Sequence, residues 1–269
     1  MAKTPARITR RRPRLAVHKF SSCDGCQLSL LNAGEGLLAL AGLVDIVHFA
    51  EAGVVDETAE ADLALVEGSI STPEEIERIQ AVRQRSRYLV PIGACATAGG
   101  PQALRNPADT GAWLAGVYPD PELVSALPTA TRIADHVPVD LELRGCPVST
   151  GQVLGALQSL LRGAPPVEER EKVCVECKRM GHVCVLVAKG TPCLGPVTAT
   201  GCGALCPGLG RDCYGCYGPA ENPNTNSLAG WLAAQGLDAE VIARRFEYQN
   251  SAAPPFRAEA DRWHTKAAS

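Results

Sequence analysis

Cysteine is the residue type that most restricts how this chain can fold. The 269 residues include twelve cysteines, and eight of them fall between Cys174 and Cys216. That segment is rich in glycine and proline and shows almost no hydrophobic periodicity, so it cannot bury enough apolar surface to order itself. Covalent or metal cross-links are therefore needed to fold it.

A high cysteine count has three explanations, which are disulfides, metal ligation and chance. Disulfide frameworks belong mainly to small secreted domains, whereas this chain is long enough for about two domains. The basic residues 7–14 precede an apolar stretch too short for a signal peptide, and we interpret residues 1–14 as a solvated basic tail. We therefore expect a reducing, cytoplasmic compartment, in which clustered cysteines indicate metal.

Composition argues against several functional classes. The net charge is −3, which gives no field strong enough to indicate a nucleic-acid partner. The apolar runs fall short of the roughly 20 residues that a membrane span needs. The five histidines are scattered and form no Ser/His/Asp or His/Glu constellation, so acid–base catalysis by the chain itself has weak support.

The first half alternates short apolar, β-branched runs with helical patterns. Strands are predicted over residues 15–20, 44–49, 63–67, 88–92 and 139–143, and helices over 28–43, 73–85 and 149–161. The helix at 73–85 has the clearest start, with Thr72 as N-cap and Pro73 at the first helical position. Such alternation predicts an α/β fold, in which a parallel sheet has helices on both faces.

The second half follows a linker rich in proline and charge at residues 162–170. It contains the cysteine-rich segment, short predicted helices at 226–235 and 239–249, and a tail from Ser251 that we expect to be extended. The predicted domains are thus residues 15–165 and residues 166–269.

The four cysteines of the first half follow predicted strands. Cys23 and Cys26 come after the first strand, Cys95 after the fourth and Cys146 after the fifth. Because the carboxyl ends of parallel strands share one edge of a sheet, we expect these thiols to converge there. Four thiolates suit zinc or an iron–sulfur cluster. The alternative is a redox CxxC pair with two ordinary buried cysteines.

Glycines lie beside these cysteines, at positions 25, 93, 99, 100 and 145. Glycine lets the backbone approach a cluster closely and donate N–H groups to it. A plain turn role would explain these glycines as well.

The other eight cysteines can form two sets of four ligands. Their spacing lacks the two close CxxC pairs separated by a hairpin that a zinc ribbon prefers, and prolines lie near them, as is common around cluster ligands. The spacing favours iron–sulfur clusters and leaves zinc open. In chain order they are Cys174, Cys177, Cys184, Cys193, Cys202, Cys206, Cys213 and Cys216.

The combined motifs resemble those of the small subunit of [NiFe] hydrogenases. They read SSCDGCQLSLL, VEGSI, IGACATAGG, RGCPVS and CLGPVTATGCGALCPGLGRDCYGCYGP. The resemblance covers roughly residues 15–220 and is greatest to the delta subunit of the cytosolic bidirectional type, also called sulfhydrogenase. The cluster subunit of NADH:quinone oxidoreductase is similar to the first half only, and it has adjacent paired cysteines where this chain has CDGC.

The resemblance implies a flavodoxin-like parallel sheet followed by an irregular iron–sulfur domain, with three [4Fe–4S] clusters. The implied ligands are Cys23, Cys26, Cys95 and Cys146 for a proximal cluster, Cys202, Cys206, Cys213 and Cys216 for a medial cluster, and Cys174, Cys177, Cys184 and Cys193 for a distal cluster.

Two of these positions differ from the membrane-associated members of the family. Those members use a histidine as one distal ligand, and Cys174 occupies the matching place here. His182 is then interpreted as a loop or surface residue. The same members often have a proline near the position of Cys206 and hold a three-iron medial cluster, so a cysteine there suggests a complete four-iron cluster.

The resemblance further implies an electron-transfer subunit of a hydrogenase that acts as an H2:NAD(P)+ oxidoreductase. The nickel–iron site would lie in a separate large subunit, because this chain lacks that subunit's two CxxC pairs, and no catalytic residue is assigned here. We expect the sheet edge to face that subunit, so that bulky replacements of Asp24 or Gln27 weaken association. Flavin/NAD(P)-binding and iron–sulfur subunits are the other expected partners, with NADPH or sulfur as acceptor.

Two alternatives remain open from the sequence. One is the iron–sulfur subunit of another redox complex, such as a quinone reductase module. The other is a zinc-stapled scaffold without a redox role.

Overall fold

The computed structural model describes residues 11–166 and 171–268. The chain divides into two compact units, Met1–Val167 and Glu168–Ser269. Residues 1–10, which make up most of the predicted basic tail, lie outside the described residues. The first strand begins at Arg14, so Arg14 is part of the sheet.

The first unit is built on a four-stranded parallel sheet. Its strands are β1 (Arg14–Lys19), β2 (Asp45–Phe49), β3 (Ala61–Glu67) and β4 (Ser86–Ile92). Their spatial order is β2-β1-β3-β4, and all three pairings are parallel. Strand β2 therefore lies on one side of β1, whereas β3 and β4 lie on the other. Open α/β sheets bind ligands at their carboxyl edge where the strand order switches in this way. The α/β fold predicted from the sequence is confirmed.

Helices cover both faces of this sheet. Leu63 and Val90 pack with Leu157 on one face, whereas Leu89 packs with Ile79 on the other. Side chains of alternating strand residues thus enter two separate cores, and every residue of β3 is buried, as expected of a central parallel strand. The helices of this unit are α1 (Gly25–Leu31), α2 (Glu35–Leu43), α3 (Pro73–Arg85), α4 (Gly93–Ala98), α5 (Thr110–Val117) and α6 (Thr150–Leu161).

Helix α3 begins where the sequence predicts, and its capping explains why. The Thr72 hydroxyl accepts a hydrogen bond from the Glu75 N–H, and the Glu75 carboxylate accepts one from the Thr72 N–H. This reciprocal pair satisfies two backbone donors that a helix start leaves without partners.

Two predictions for the first unit are wrong in detail. The helix predicted over residues 28–43 is two helices, because Gly34 adopts φ +57° between α1 and α2, a conformation that glycine permits. The strand predicted over 139–143 is reduced to one bridge, between Leu143 and Ile92. The Asp140 carboxylate accepts a hydrogen bond from the Leu89 N–H of β4, and Pro91 of β4 has no N–H to donate. Neither position of β4 can therefore donate a backbone hydrogen bond to a fifth strand.

None of the described helices is by itself long and apolar enough to cross a membrane. Helices α1 and α2 meet the length and composition criteria only as a pair, with a bend of 86° between them.

The second unit contains short helices around its cysteines and three longer helices after them. The helices predicted at 226–235 and 239–249 are present, although the second ends earlier. The set is α7 (Val173–Arg179), α8 (Val185–Lys189), α9 (Leu205–Gly208), α10 (Thr225–Ala234), α11 (Ala239–Phe246) and α12 (Pro254–Ala267).

The expected extended tail from Ser251 is wrong, because α12 occupies most of it. Pro254 lies in the first turn, where its missing N–H costs nothing. Phe256, Ala260 and Trp263 follow at helical spacing and are buried. The buried Glu259 accepts hydrogen bonds from the Trp263 indole and the Thr225 hydroxyl, at 2.8 and 3.0 Å, which ties α12 to α10.

His264 joins α12 to α11 and makes this contact dependent on pH. Its Nδ1 lies 3.0 Å from a Glu240 oxygen and its Nε2 lies 3.0 Å from a Glu247 oxygen. Partial burial lowers the pKa of His264, but the hydrogen bonds to Glu247 and Glu240 outweigh it and raise the pKa above 6.5. A group whose pKa is higher in the folded than in the unfolded state stabilises the fold fully at pH values below its unfolded-state pKa. That stabilisation is lost as the pH rises through the folded-state pKa.

We therefore expect His264→Gln to lower the melting temperature most at about pH 6 and progressively less towards about pH 8.5. Thermal unfolding of the parent and the variant across that range measures the difference. Arg257→Gln is the matched control, since it breaks an ion pair on the same helix, with Asp261, that involves no histidine. A difference for His264→Gln that stays constant with pH would contradict the assignment.

Candidate metal centres

The four cysteines of the first unit come together at the carboxyl edge of the sheet. Burial raises the pKa of Cys95 to about 12, and the neighbouring thiols of Cys146 and Cys23 contribute to that rise. Burial also raises the pKa of Cys26 and Cys146, with contributions from nearby thiols in both cases. The four predicted proximal thiols therefore lie near enough at this edge to influence one another.

The ligands reach this edge from different segments. Cys26 lies in α1 just after β1, and Cys95 lies in α4 directly after β4. Cys146 follows the segment that runs beside β4, where the Ala94 N–H donates to the Gly145 carbonyl at 2.7 Å. The Val148 N–H then points to Cys26 Sγ at 3.5 Å, as backbone donors do around cluster sulfurs.

Two glycines leave the space that the sulfurs occupy. A Cβ on Gly93 would lie 2.3 Å from Cys26 Sγ, and a Cβ on Gly100 would lie 2.4 Å from Cys95 Sγ. Both residues also adopt positive φ, at +83° and +63°. Glycine is therefore required at positions 93 and 100 because a side chain there would collide with a cysteine sulfur. Any role in a turn is additional.

Glu67 is a residue that supports this site and that the sequence patterns do not reveal. Its side chain is 2% exposed, and its two carboxylate oxygens accept the N–H groups of Cys26 and Gln27, each at 3.0 Å. Helix α1 has no side-chain cap of its own, since Asp24 makes no capping bond. Glu67, at the end of β3, supplies that cap from across the sheet and fixes the first turn that includes Cys26. The one sign of this role in the sequence is an acidic residue at the end of a strand that is predicted to be buried.

The residues beside the CxxC pair differ in accessibility. Asp24 is partly exposed and pairs with Lys19 at 2.7 Å, whereas Gln27 is fully buried. A bulky replacement of Gln27 would therefore disrupt the interior of the unit, and only Asp24 is suitable for probing a contact with another subunit.

In the second unit, the predicted distal cysteines form one group. Burial raises the pKa of Cys174 to about 11, and the thiols of Cys193, Cys184 and Cys177 contribute to that rise. Burial is also the main reason why the pKa of Cys177 and that of Cys193 are raised, and the Cys184 thiol raises both further. A Cβ on Gly195 would contact the sulfurs of Cys174 and Cys193, at 3.4 Å each, so this glycine lies between two of the ligands.

Of the predicted medial cysteines, the structure brings Cys213 and Cys216 together, whereas Cys202 and Cys206 are placed by backbone contacts. Burial raises the pKa of Cys213, and the thiols of Cys193 and Cys216 are further causes. Cys206 lies in α9, and its carbonyl accepts the Arg211 N–H at 2.9 Å. Burial raises the pKa of Cys202, while the backbone N–H groups that follow it oppose this rise.

A hydrogen bond connects the two groups of the second unit. The Cys213 N–H donates to Cys193 Sγ at 3.2 Å, and the Gly215 N–H donates to Cys213 Sγ at 3.5 Å. Thiolate ligands of a cluster accept such bonds, so the donor set and its surroundings fit iron–sulfur clusters.

His182 lies in the loop before Cys184, as predicted, and is half-buried. Its ring packs against Gly208, where a Cβ would lie 2.8 Å from Nε2. Among the residues that the structure describes, no three His, Cys, Asp or Glu side chains are arranged to hold a single metal ion. A four-iron cluster separates its thiolates more widely than one ion does.

Comparison with known proteins agrees with this arrangement. The family model described as NADH ubiquinone oxidoreductase, 20 Kd subunit, matches residues 23–160. Sulfhydrogenase 2 subunit delta of Pyrococcus furiosus is 37% identical over 233 residues, which cover 86% of this chain and 97% of that protein. The chain belongs to the [NiFe] hydrogenase small-subunit family.

Two further relatives illustrate the range of similarity. A vhu subunit of the F420-non-reducing hydrogenase of Methanococcus voltae is 30% identical over 261 residues, covering 86% of this chain and 91% of that protein. A chain of an NAD+-reducing [NiFe]-hydrogenase, solved in the H2-reduced state, superposes with a TM-score of 0.54 at 32% identity. The match covers 59% of this chain and 96% of that one. This protein is accordingly a hydrogenase subunit.

We expect Gly93→Ala to remove the metal of the first unit, because the added methyl group collides with Cys26 Sγ. Loss of one four-iron cluster would leave the purified variant with about four irons fewer per chain than the parent. Gly53→Ala is the matched control, since Gly53 also has a positive φ, +80°, but no atom lies within 4 Å of its Cβ position. Iron analysis of both variants tests this, and full iron in Gly93→Ala would show that the space is not needed for a ligand.

Proposed function

We propose that this hydrogenase subunit relays electrons through three [4Fe–4S] clusters. The relay would run between the nickel–iron site of a large subunit and a flavin/NAD(P) subunit. The observation that supports it most strongly is the convergence of four thiols, two of them buried, at the carboxyl edge of the sheet, with two glycines whose missing Cβ atoms leave room for the sulfurs.

The proposed clusters divide between two domains. Residues 15–165 would hold the proximal cluster, and residues 166–269 would hold the other two. The mutual pKa effects of the thiols support the proximal and distal sets, and the pairing of Cys213 with Cys216 supports part of the medial set. The ligands proposed are Cys23, Cys26, Cys95 and Cys146 (proximal), Cys202, Cys206, Cys213 and Cys216 (medial), and Cys174, Cys177, Cys184 and Cys193 (distal).

The residues of this chain contribute binding and environment rather than acid–base chemistry. A bound cluster of this kind exchanges single electrons. Glu67 fixes the first turn of α1 and thereby the position of Cys26. Burial of Cys26, Cys95 and Cys213 excludes water from the thiolates, and backbone N–H groups directed at sulfur stabilise the negative charge of the thiolates.

The partners are proposed from the names of relatives. The P. furiosus protein is a sulfhydrogenase subunit, and the solved structure is an NAD+-reducing hydrogenase. We infer from them a nickel–iron large subunit, a flavin subunit that uses NAD(P), further iron–sulfur subunits and a cytoplasmic location.

The two alternatives make different predictions. A zinc-stapled scaffold would be colourless and redox-silent. A quinone reductase module has support from the name of the matching family model, but the P. furiosus and M. voltae relatives, which match over most of the chain, are hydrogenase subunits.

The metal content of the subunit separates clusters from zinc. With all twelve cysteines as ligands, the purified holoprotein should contain about twelve irons and about twelve acid-labile sulfides. Colorimetric iron and sulfide assays, with zinc measured in parallel, give the numbers. About four irons with stoichiometric zinc would leave only the proximal cluster and would contradict the three-cluster proposal.

Replacing Cys206 tests the medial assignment. We expect Cys206→Ala to remove one iron corner and leave a [3Fe–4S] cluster on the other three cysteines. The fold should persist, because Cys206 is only half-buried and its carbonyl keeps its backbone bonds in α9. Electron paramagnetic resonance of the oxidised variant should show an isotropic three-iron signal that the parent lacks.

The outcome that would refute this assignment is equally specific. If Cys206→Ala loses four irons outright, or retains activity without a three-iron signal, then Cys206 is not a medial ligand.

A further inference from the structure

The proposed medial ligand Cys216 is held by a side chain from outside the cysteine-rich segment. Asn250, in the connection between α11 and α12, donates from Nδ2 to the Gly215 carbonyl at 2.9 Å and to the Cys216 carbonyl at 3.1 Å. The residue is 2% exposed. These two carbonyls belong to the peptide groups on either side of Cys216. Asn250 therefore fixes the backbone of Cys216 from both directions, and with it the direction in which the side chain of this ligand leaves the backbone.

The turn around Cys213 and Cys216 lies outside regular secondary structure. Residues 211–215 belong to no helix or strand, and Gly215 adopts φ +75°. The Gly215 carbonyl also accepts the Gly218 N–H at 2.9 Å, and the Gly215 N–H donates to Cys213 Sγ at 3.5 Å. A segment of this kind opens locally at low free energy unless contacts from other elements hold it. Side chains that reach the turn therefore decide how firmly the two cysteines are placed.

Two more residues of the C-terminal helices contact the same turn. Arg245 of α11 pairs with the buried Asp212, and its guanidinium carbon lies 5.7 Å from the centroid of the Tyr214 ring. Phe256 of α12 is buried, and a Cβ on Gly215 would lie 3.3 Å from its ring. Together with Asn250, these residues join α11, α12 and their connection to one turn. We call Arg245, Asn250 and Phe256 the latch.

The three residues of the latch differ in what they fix. The ion pair of Arg245 anchors the residue before Cys213, and Phe256 supplies packing against Gly215. Among the three, Asn250 alone donates to the peptide groups that flank a ligand. Its neutral amide orients that ligand without adding charge beside the thiolates. Removing an outer group that orients a metal ligand typically weakens metal binding by about 10- to 100-fold.

We infer that Asn250 is a positioning residue that holds Cys216 in place for metal binding. The C-terminal helices thereby retain the metal of the second unit through the latch. This inference rests on the proposed function in one respect, because it takes Cys216 as a ligand of the medial cluster. Without the amide, the peptide groups on both sides of Cys216 can reorient, so the thiolate leaves its iron more often and the cluster breaks down faster.

The test measures iron release from the purified hydrogenase complex to a coloured iron chelator under anaerobic conditions. In Asn250→Ala, we expect about four irons per chain, one cluster, to be released at least about tenfold faster than in the parent. Electron paramagnetic resonance at intervals during the release identifies the cluster that is lost. The signal of the medial cluster should disappear first, while the signals of the proximal and distal clusters persist.

A milder variant and a control accompany this measurement. Asn250→Ser keeps one donor in place of two, so its medial iron should be released faster than in the parent and more slowly than in Asn250→Ala. This variant provides the measurement if Asn250→Ala fails to assemble. Asn224→Ala is the control, since it removes the hydrogen bond between the Asn224 side chain and the Ser227 N–H at the start of α10, in the same unit. Its iron should be released at the rate of the parent.

The inference is overturned if both variants of Asn250 release iron at the rate of the parent. It is also overturned if the signals of all clusters decay together, because the amide would then act on general stability and not on one ligand. The same samples test the proposed function separately. A colourless parent that releases zinc refutes the relay, and faster zinc release from Asn250→Ala would still support the positioning of Cys216. A brown parent whose Asn250 variants release iron at an unchanged rate refutes only the positioning role.

Discussion

The convergence of thiol groups within each unit is the constraint on which this structure depends. Burial raises the pKa of Cys95 and Cys174, and neighbouring thiols add to that rise, so ionising such a set of thiols is unfavourable until a cation neutralises it. Iron or zinc bound to the thiolates reverses that cost and becomes part of the folding free energy. The dependence should be greatest between Val173 and Cys216, where the helices are short and cysteines themselves belong to the apolar core.

The first unit shows how a regular fold prepares such a site. The parallel strands deliver Cys26 and Cys95 to one edge, and glycine at position 93 allows the two segments to approach. Glu67 then replaces the cap that α1 lacks. A carboxylate from the central strand thus fixes the same turn that positions a ligand, which connects the stability of the sheet to the geometry of the site.

Sequence patterns predict the parts of this protein that depend on local periodicity. The α/β order, the start of α3 at Pro73 and the edge location of the first four cysteines all follow from spacing and strand polarity. The role of Glu67 cannot be derived in this way, because it depends on which backbone N–H groups the fold places opposite β3.

The two clearest errors have local causes. Two adjacent prolines are typical of an extended tail, so they conceal α12, although Phe256, Ala260 and Trp263 have helical spacing. The segment at Leu143 has the composition of a strand but forms only a bridge, because Asp140 takes up a backbone N–H that a ladder would use.

A potentiometric titration of the purified complex under H2 is the most direct test of the central claim. It measures whether the thiols of both units bind redox-active clusters that equilibrate with H2. Electron paramagnetic resonance would be recorded at each potential. Three reduced [4Fe–4S] species that appear and disappear reversibly, with magnetic coupling between neighbours, are the predicted result. A single reducible cluster, or iron that does not respond to H2, would contradict a relay built on these twelve cysteines.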